Sequence, residues 1–185
     1  MSVAEGMRRA PRADYLPPSL RSLAHEDRPL SLGDGATNSQ PSTVAALLDL
    51  LDVRPGHRVL DGGSGSGWTT AILAHLVGPA GEVIGVELVE RLVRDSGERL
   101  TAAGLTHTSV RLARAGVLGA PDLAPFDRIL VSAAATSLPG ELVDQLVDGG
   151  ILVTPVGDRM TVVTRRGADS EVELAPGRYR FVPLR

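Results

Sequence analysis

Val59-Leu60-Asp61-Gly62-Gly63-Ser64-Gly65-Ser66-Gly67 is the stretch on which the reading of this 185-residue chain turns. Its apolar start, Arg58 to Asp61, predicts a short strand, and Trp68 to about Val77 predicts a helix with Ala71, Ile72 and Leu76 on one face. Between them the glycines let the backbone turn tightly and let a ligand come close to the main chain. Working outward, Glu82 to Glu87 is a second strand and Glu90 to Ala103 a helix closed by Gly104. Ser109 to Leu112 and Asp127 to Ser132 read as further strands, and Glu141 to Val147 as a helix stopped by Asp148-Gly149-Gly150. Ile151 to Val156 and Met160 to Thr164 flank Gly157-Asp158 and fit a hairpin; Glu171 to Leu174 and Tyr179 to Val182 are weaker strands. Upstream, Ser42 or Thr43 caps a helix carrying Val44, Leu47, Leu48 and Leu51, and Arg54-Pro55-Gly56-His57 is a turn. Residues 1–41 read as irregular, broken by Pro11, Pro17, Pro18, Pro29 and Pro41. Apolar strands alternating with helices predict an α/β fold, doubly wound around a mostly parallel sheet with an antiparallel edge.

The glycine spacing narrows the ligand. A dinucleotide fingerprint, G-x-G-x-x-G, would need its third glycine where Trp68 stands, and what remains is G-x-G-x-G preceded by an acid. Asp61 at a strand end suits a positively charged amino-acid group better than a pyrophosphate. Glu87 ends the next strand, 20 residues after Gly67, where a carboxylate accepts from both hydroxyls of a ribose. A lone G-x-G-x-G also serves merely as a tight strand-to-helix turn; the two acids are what make it a binding site. An amine partner and a ribose partner without phosphate apparatus describe S-adenosylmethionine rather than NAD.

Composition removes competing classes. Nineteen basic against 22 acidic residues give a net charge of −3, too balanced for binding nucleic acid mainly through its phosphates. The chain has no cysteine, hence no disulfide, thiolate metal site or cysteine nucleophile. It has no lysine either, which excludes Schiff-base enzymes and P-loop NTPases. His25, His57, His75 and His107 lack metal-ligand spacing, so no metal is expected. Arg8, Arg9 and Arg12 read as a solvated basic start. No run is apolar enough for a membrane span and no signal segment opens the chain, so a cytoplasmic monomer, with no nucleic acid or membrane partner, is expected. Length suggests one domain, residues 42–185, with residues 1–41 packing on its active site.

Further segments resemble the protein-L-isoaspartate O-methyltransferase family. Gly35-Ala36-Thr37-Asn38-Ser39-Gln40-Pro41 is similar to its active-site segment, usually G-x-T-I-S-Q-P, and Asp27-Arg28-Pro29-Leu30 precedes it as in the family. Ala124-Pro125-Phe126-Asp127, Val131-Ser132-Ala133-Ala134-Ala135 with Leu138-Pro139, and Gly149 to Gly157 resemble its fourth and fifth strands. Arg180-Phe181-Val182-Pro183-Leu184 resembles its substrate-binding strand. The resemblance implies a seven-stranded Rossmann-like methyltransferase sheet and methyl transfer from S-adenosyl-L-methionine to the free carboxylate of an isoaspartyl residue in a peptide or protein. It places Ser39 and Thr37 at the acceptor carboxylate, with Gln40, Ala133, Ala134 and Val182 beside the peptide. It places Asp61, Gly62, Gly63, Ser64, Gly65, Gly67, Glu87, Leu88, Ala115 and Gly116 at the cofactor.

The chain departs from the family at ligand-facing places. Arg114-Ala115-Gly116 stands where the family has Gly-Asp-Gly, and Ala115 cannot accept from an adenine amino group. Asn38 replaces the usual isoleucine, Ser42 replaces an aromatic, and the loop reads Asp-Gly-Gly rather than Glu-Ile-Gly. The family has further helices upstream of Ala10, so a more open site is expected here. Three functions fit: an isoaspartyl repair enzyme, a carboxyl methyltransferase for another acceptor such as a biosynthetic peptide, or a degenerate fold serving as an interaction module.

Overall fold

A computed structural model describes residues 1–185. Residues 1–41 are more regular than the prolines suggest. Helix α1 spans Val3–Arg9, capped by the Ser2 side chain accepting from the Glu5 N–H, and it packs on α3 (Trp68–Val77). The chain then makes two short 3₁₀ turns, Arg12–Tyr15 and Pro18–Leu23, and an antiparallel hairpin of β1 (Leu30–Gly33) and β2 (Ala36–Asn38). Gly33, Asp34 and Gly35 all take positive φ at its turn, a conformation that costs glycine little. Helix α2 is Pro41–Leu51; proline supplies its first residue, and Asp27 rather than Ser42 or Thr43 closes its N-terminus, accepting from the Ser42 N–H at 2.9 Å.

The remaining strands, β3 (Arg58–Gly62), β4 (Glu82–Glu87), β5 (Thr108–Leu112), β6 (Phe126–Val131), β7 (Leu146–Val156), β8 (Arg159–Arg166) and β9 (Asp169–Leu174), form one sheet in the order β5-β4-β3-β6-β7-β8-β9. The first five in that order run parallel, and β8 is antiparallel to both neighbours. This is the expected parallel sheet with an antiparallel edge. Helix α3 buries eight of its ten residues against the sheet, and α4 (Glu90–Ala102) buries Leu92, Ser96 and Leu100 along one stripe. Two apolar clusters, one around Leu47, Ile72 and Val59 and one around Phe126, Ile129 and Leu152, divide the core. Both faces of β9 lie exposed.

Two expected elements differ. The helix expected at Glu141 to Val147 is only α5, Gly140–Val143, and β7 already starts at Leu146. Leu146 pairs with Phe126, then the register slips and Ile151 faces Arg128, with Gly149 at φ 76° in the bulge. Tyr179 to Val182 is not a strand. This stretch meets the loop after β6 through one bridge, with the Ala134 N–H donating to Val182 O at 2.7 Å and the Leu184 N–H to Ala134 O at 2.8 Å.

Candidate functional site

The site lies where the parallel strands end, on the side from which the glycine loop leaves β3. Gly63 and Ser64 donate their N–H groups to Val86 O at 2.8 and 3.2 Å, which folds the loop back over β4. Gly63, Gly65 and Gly67 hold φ of 76°, 55° and 83°. At Gly67 a Cβ would come within 3.0 Å of Ser96, so glycine is what lets α3 start against α4.

Glu87 organises this loop. One carboxylate oxygen accepts from the Gly65 N–H at 2.8 Å, and the other from Leu88 and Val89 N–H at 2.7 and 3.0 Å. The oxygen that Gly65 engages keeps a lone pair for a further donor, and the side chain lines a cavity of about 240 Å³. Thr37, Ser39, Gly62, Gly63, Ser64, Gly65, Leu88, Ala133 and Val182 line the same cavity. Residues expected at the cofactor and residues expected at the acceptor, far apart in sequence, therefore line one space.

Six expected residues do not line it. Asp61 is fully buried, because Thr70 in α3 donates to its Oδ2 at 2.7 Å and draws the carboxylate inward. Its Oδ1 and the nearby Ser64 Oγ have no partner. Gly67 is covered by α4, and Gln40 bonds Asp27 and Ser42 outside the cavity. Ala134 is turned into the bridge to Pro183. Ala115 and Gly116 are exposed, and the cavity wall on that side is made by Ala113, Val117, Leu118 and Gly119 instead. Asp122 does not replace the missing family acid, since Arg111 and Arg114 engage both its oxygens at 3.0 and 2.7 Å. The wall is held from behind by Gln145, which accepts from Ala120 N–H and donates to Leu118 O, both at 2.9 Å.

Sequence reasoning missed Arg12. It is buried rather than solvated, and its guanidinium donates to Asn38 Oδ1 (2.6 Å), Glu26 O (2.8 Å), Arg28 O (2.9 Å), Asn38 O (3.2 Å) and Ser39 O (2.9 Å). It also lies 5.4 Å from the centre of the Trp68 ring. A planar five-donor fork fits such converging carbonyls. Nothing distinguishes one such arginine from a solvated one until the fold brings residues 26–39 around it.

Burial raises the Asp61 carboxyl to about 6, with the Glu87 charge adding to the rise and the Thr70 hydrogen bond opposing it. The folded chain thus holds a proton that the unfolded chain releases near its ordinary value of 3.8. Stability from this group is full below that value and is lost as pH rises through about 6. A displacement of that size is worth roughly 3 kcal/mol. In urea unfolding, the Asp61→Asn variant should gain about that much relative to the parent chain between pH 4 and 7. Parallel stability profiles for the two proteins would contradict it.

The family model for Protein-L-isoaspartate(D-aspartate) O-methyltransferase (PCMT) matches residues 1–185. The chain belongs to this family. Among its relatives, a protein-L-isoaspartate O-methyltransferase of Methanothrix thermoacetophila is 44% identical, across 98% of this chain and 87% of the relative. One of Methanopyrus kandleri is 45% identical, across 98% and 82%. A Plasmodium falciparum structure described as a protein-L-isoaspartate O-methyltransferase, in complex with S-adenosyl-L-homocysteine, superposes with a TM-score of 0.85 at 27% identity, covering 99% of this chain and 89% of that one. Another protein-L-isoaspartate O-methyltransferase structure shares the fold with a TM-score of 0.87 at 24% identity, and this chain spans 60% of it. The match takes in residues 35–41 and the terminal Arg180 to Leu184 stretch as well as the glycine loop.

The residues present fit the family's cofactor. The loop and β4 offer an orphaned Ser64 hydroxyl and a fixed carboxylate at Glu87 beside a cavity that glycine backbone lines. No group of three or more metal-ligating side chains occurs, and no helix is long and apolar enough to cross a membrane.

Proposed function

We propose that this chain methylates the free carboxylate of L-isoaspartyl residues in damaged peptides and proteins, with S-adenosyl-L-methionine as methyl donor. The observation that carries this reading is the single cavity shared by Glu87 and the glycine loop with Thr37, Ser39, Ala133 and Val182. When bound, S-adenosyl-L-methionine supplies an electrophilic methyl group on a sulfonium. In this reading Glu87 accepts from a ribose hydroxyl on the oxygen shared with Gly65, and Gly63 to Gly65 run along the remainder of the ligand. The apolar wall of Val117 and Leu118 suits an adenine without a carboxylate partner.

The acceptor carboxylate has an ordinary pKa of about 4 and is ionised at neutral pH, so no residue has to remove a proton. No histidine lines the cavity; its titratable lining groups are Asp34, Glu87 and Arg185. What the chain contributes is alignment, worth roughly 7–11 kcal/mol when complete. The Ser39 hydroxyl donates to the acceptor carboxylate, Thr37 supports it, and the main chain at Val182 holds the peptide. Ala134, bridged to Pro183, fixes that terminal stretch without facing the ligand. A monomer working in the cytoplasm is part of the same reading.

The test is calorimetric binding of S-adenosylhomocysteine together with labelled methyl transfer to an isoaspartyl peptide. Binding with transfer is the expected result. Binding without transfer points to another acceptor, and absence of binding at millimolar ligand overturns the methyltransferase assignment. Ser39→Ala should lower turnover about 10- to 100-fold, the value of one hydrogen bond to a charged group, while cofactor affinity stays within threefold. An unchanged turnover would remove Ser39 from the acceptor site.

A further inference from the structure

Asn38 sits between Thr37 and Ser39, buried, and its carboxamide bridges two elements. Oδ1 accepts from Arg12 Nε at 2.6 Å and Nδ2 donates to Ser66 Oγ at 2.9 Å. This orientation follows from chemistry, because a guanidinium only donates and so must face the amide oxygen. Arg12 in turn donates to Asn38 O and Ser39 O, while Ser66 belongs to the glycine loop and is itself buried. Beside this bridge the two elements run close together: a Cβ added at Gly65 would lie 3.9 Å from Thr37 O and 3.8 Å from Leu32, so only about a methyl group would fit between the loop and the β1–β2 hairpin. The isoleucine usual at this place in the family pattern could form neither hydrogen bond.

We propose that Asn38 is a positioning residue that couples the glycine loop to the acceptor segment, so that a ligand held by the loop orders Thr37 and Ser39. The inference rests on the cofactor part of the reading above, whatever the methyl acceptor. Ser66 forms the joint: a loop fixed by a bound nucleoside fixes its hydroxyl, which holds the Asn38 amide and thereby the two main-chain carbonyls shared with Arg12. Substrate order then depends on cofactor occupancy through one polar side chain.

Hydrogen–deuterium exchange of segment 31–40, with and without saturating S-adenosylhomocysteine, reads this coupling directly. In the parent chain the ligand should slow exchange there about tenfold. In Ser66→Ala, which disturbs the fold least, and in Asn38→Ala, the slowing should fall below about twofold while ligand still binds. Asn38→Asp should restore it, since a carboxylate accepts from Arg12 and from a rotated Ser66 hydroxyl. The same two alanine variants should lower kcat for the methyl acceptor with little change in KM for S-adenosyl-L-methionine. Equal ligand-induced slowing in the parent chain and both alanine variants, or none in the parent although ligand binds, would overturn the inference and leave the methyltransferase reading intact. Failure of S-adenosylhomocysteine to bind the parent would overturn both.

Discussion

Replacing Glu87 by alanine should weaken S-adenosylhomocysteine binding by at least about 100-fold, read by calorimetry at constant pH and salt. A ribose hydroxyl bonded to a carboxylate contributes about 1.5–3 kcal/mol, and every 1.4 kcal/mol is tenfold. The carboxylate has a second duty that adds to the loss, since Gly65, Leu88 and Val89 N–H groups all point at it. Without it those three donors lose their acceptor and the loop loses its shape. Glutamine is no conservative replacement. Each oxygen of Glu87 accepts from main chain, so whichever way the amide is turned its NH₂ confronts an N–H donor. Glu87→Gln should therefore fall nearer to alanine than to the parent chain. Affinity within threefold of the parent for both variants would show that the ribose lies elsewhere.

The second large effect is expected at Arg12. Arg12→Met keeps much of the stem volume but removes every donor to Glu26 O, Arg28 O, Asn38 O, Ser39 O and Asn38 Oδ1. Each buried carbonyl left without a donor costs about 1–3 kcal/mol, and several together are a large share of the stability of a domain this size. Its guanidinium is held against burial, which disfavours the charge, with Asp27 and Glu26 favouring it. Lysine should rescue little, because a single ammonium cannot span acceptors that ring a plane. Urea unfolding checks the stability, and turnover of the surviving folded fraction should fall as well, since Ser39 O is among the lost acceptors. A midpoint unchanged in Arg12→Met would mean that water satisfies those carbonyls.

Much of this architecture is legible in the sequence alone. The stretch from Arg58 to Glu87 declares itself because three signals agree: apolar strands, a glycine turn and a helix with apolar periodicity. The structure keeps β3, α3 and β4 at their expected places, with β3 running one residue further, to Gly62. Around Leu146 the local signal misleads. Leu142, Val143 and Leu146 have helical spacing, yet pairing of Leu146 with Phe126 in the sheet overrides it, and the double glycine that reads as a stop is a bulge. The hairpin at residues 30–38 escaped notice because each strand is only three or four residues long. That Glu87 and Ser39 line the cavity follows from motif and position. The inward turn of Asp61 does not, because whether an acid at a strand end faces ligand or core depends on Thr70, nine residues away. Arg12 and the Val117–Gly119 wall depend on contacts across long sequence separations, which no local pattern encodes.

Strand β9 leaves the sheet with an open rim, exposed on both faces. Such a rim offers unsatisfied main-chain donors and acceptors to any extended polypeptide that drifts past. Damaged, half-unfolded chains are rich in such segments, and the function proposed here brings them close. Asp169, Glu171 and Glu173 punctuate that border with negative charge, alternating with Ser170, Val172 and Leu174. Repulsion and the cost of stripping water from three carboxylates discourage zippering onto the sheet. An extended chain is thereby kept from being trapped on the flank of the sheet.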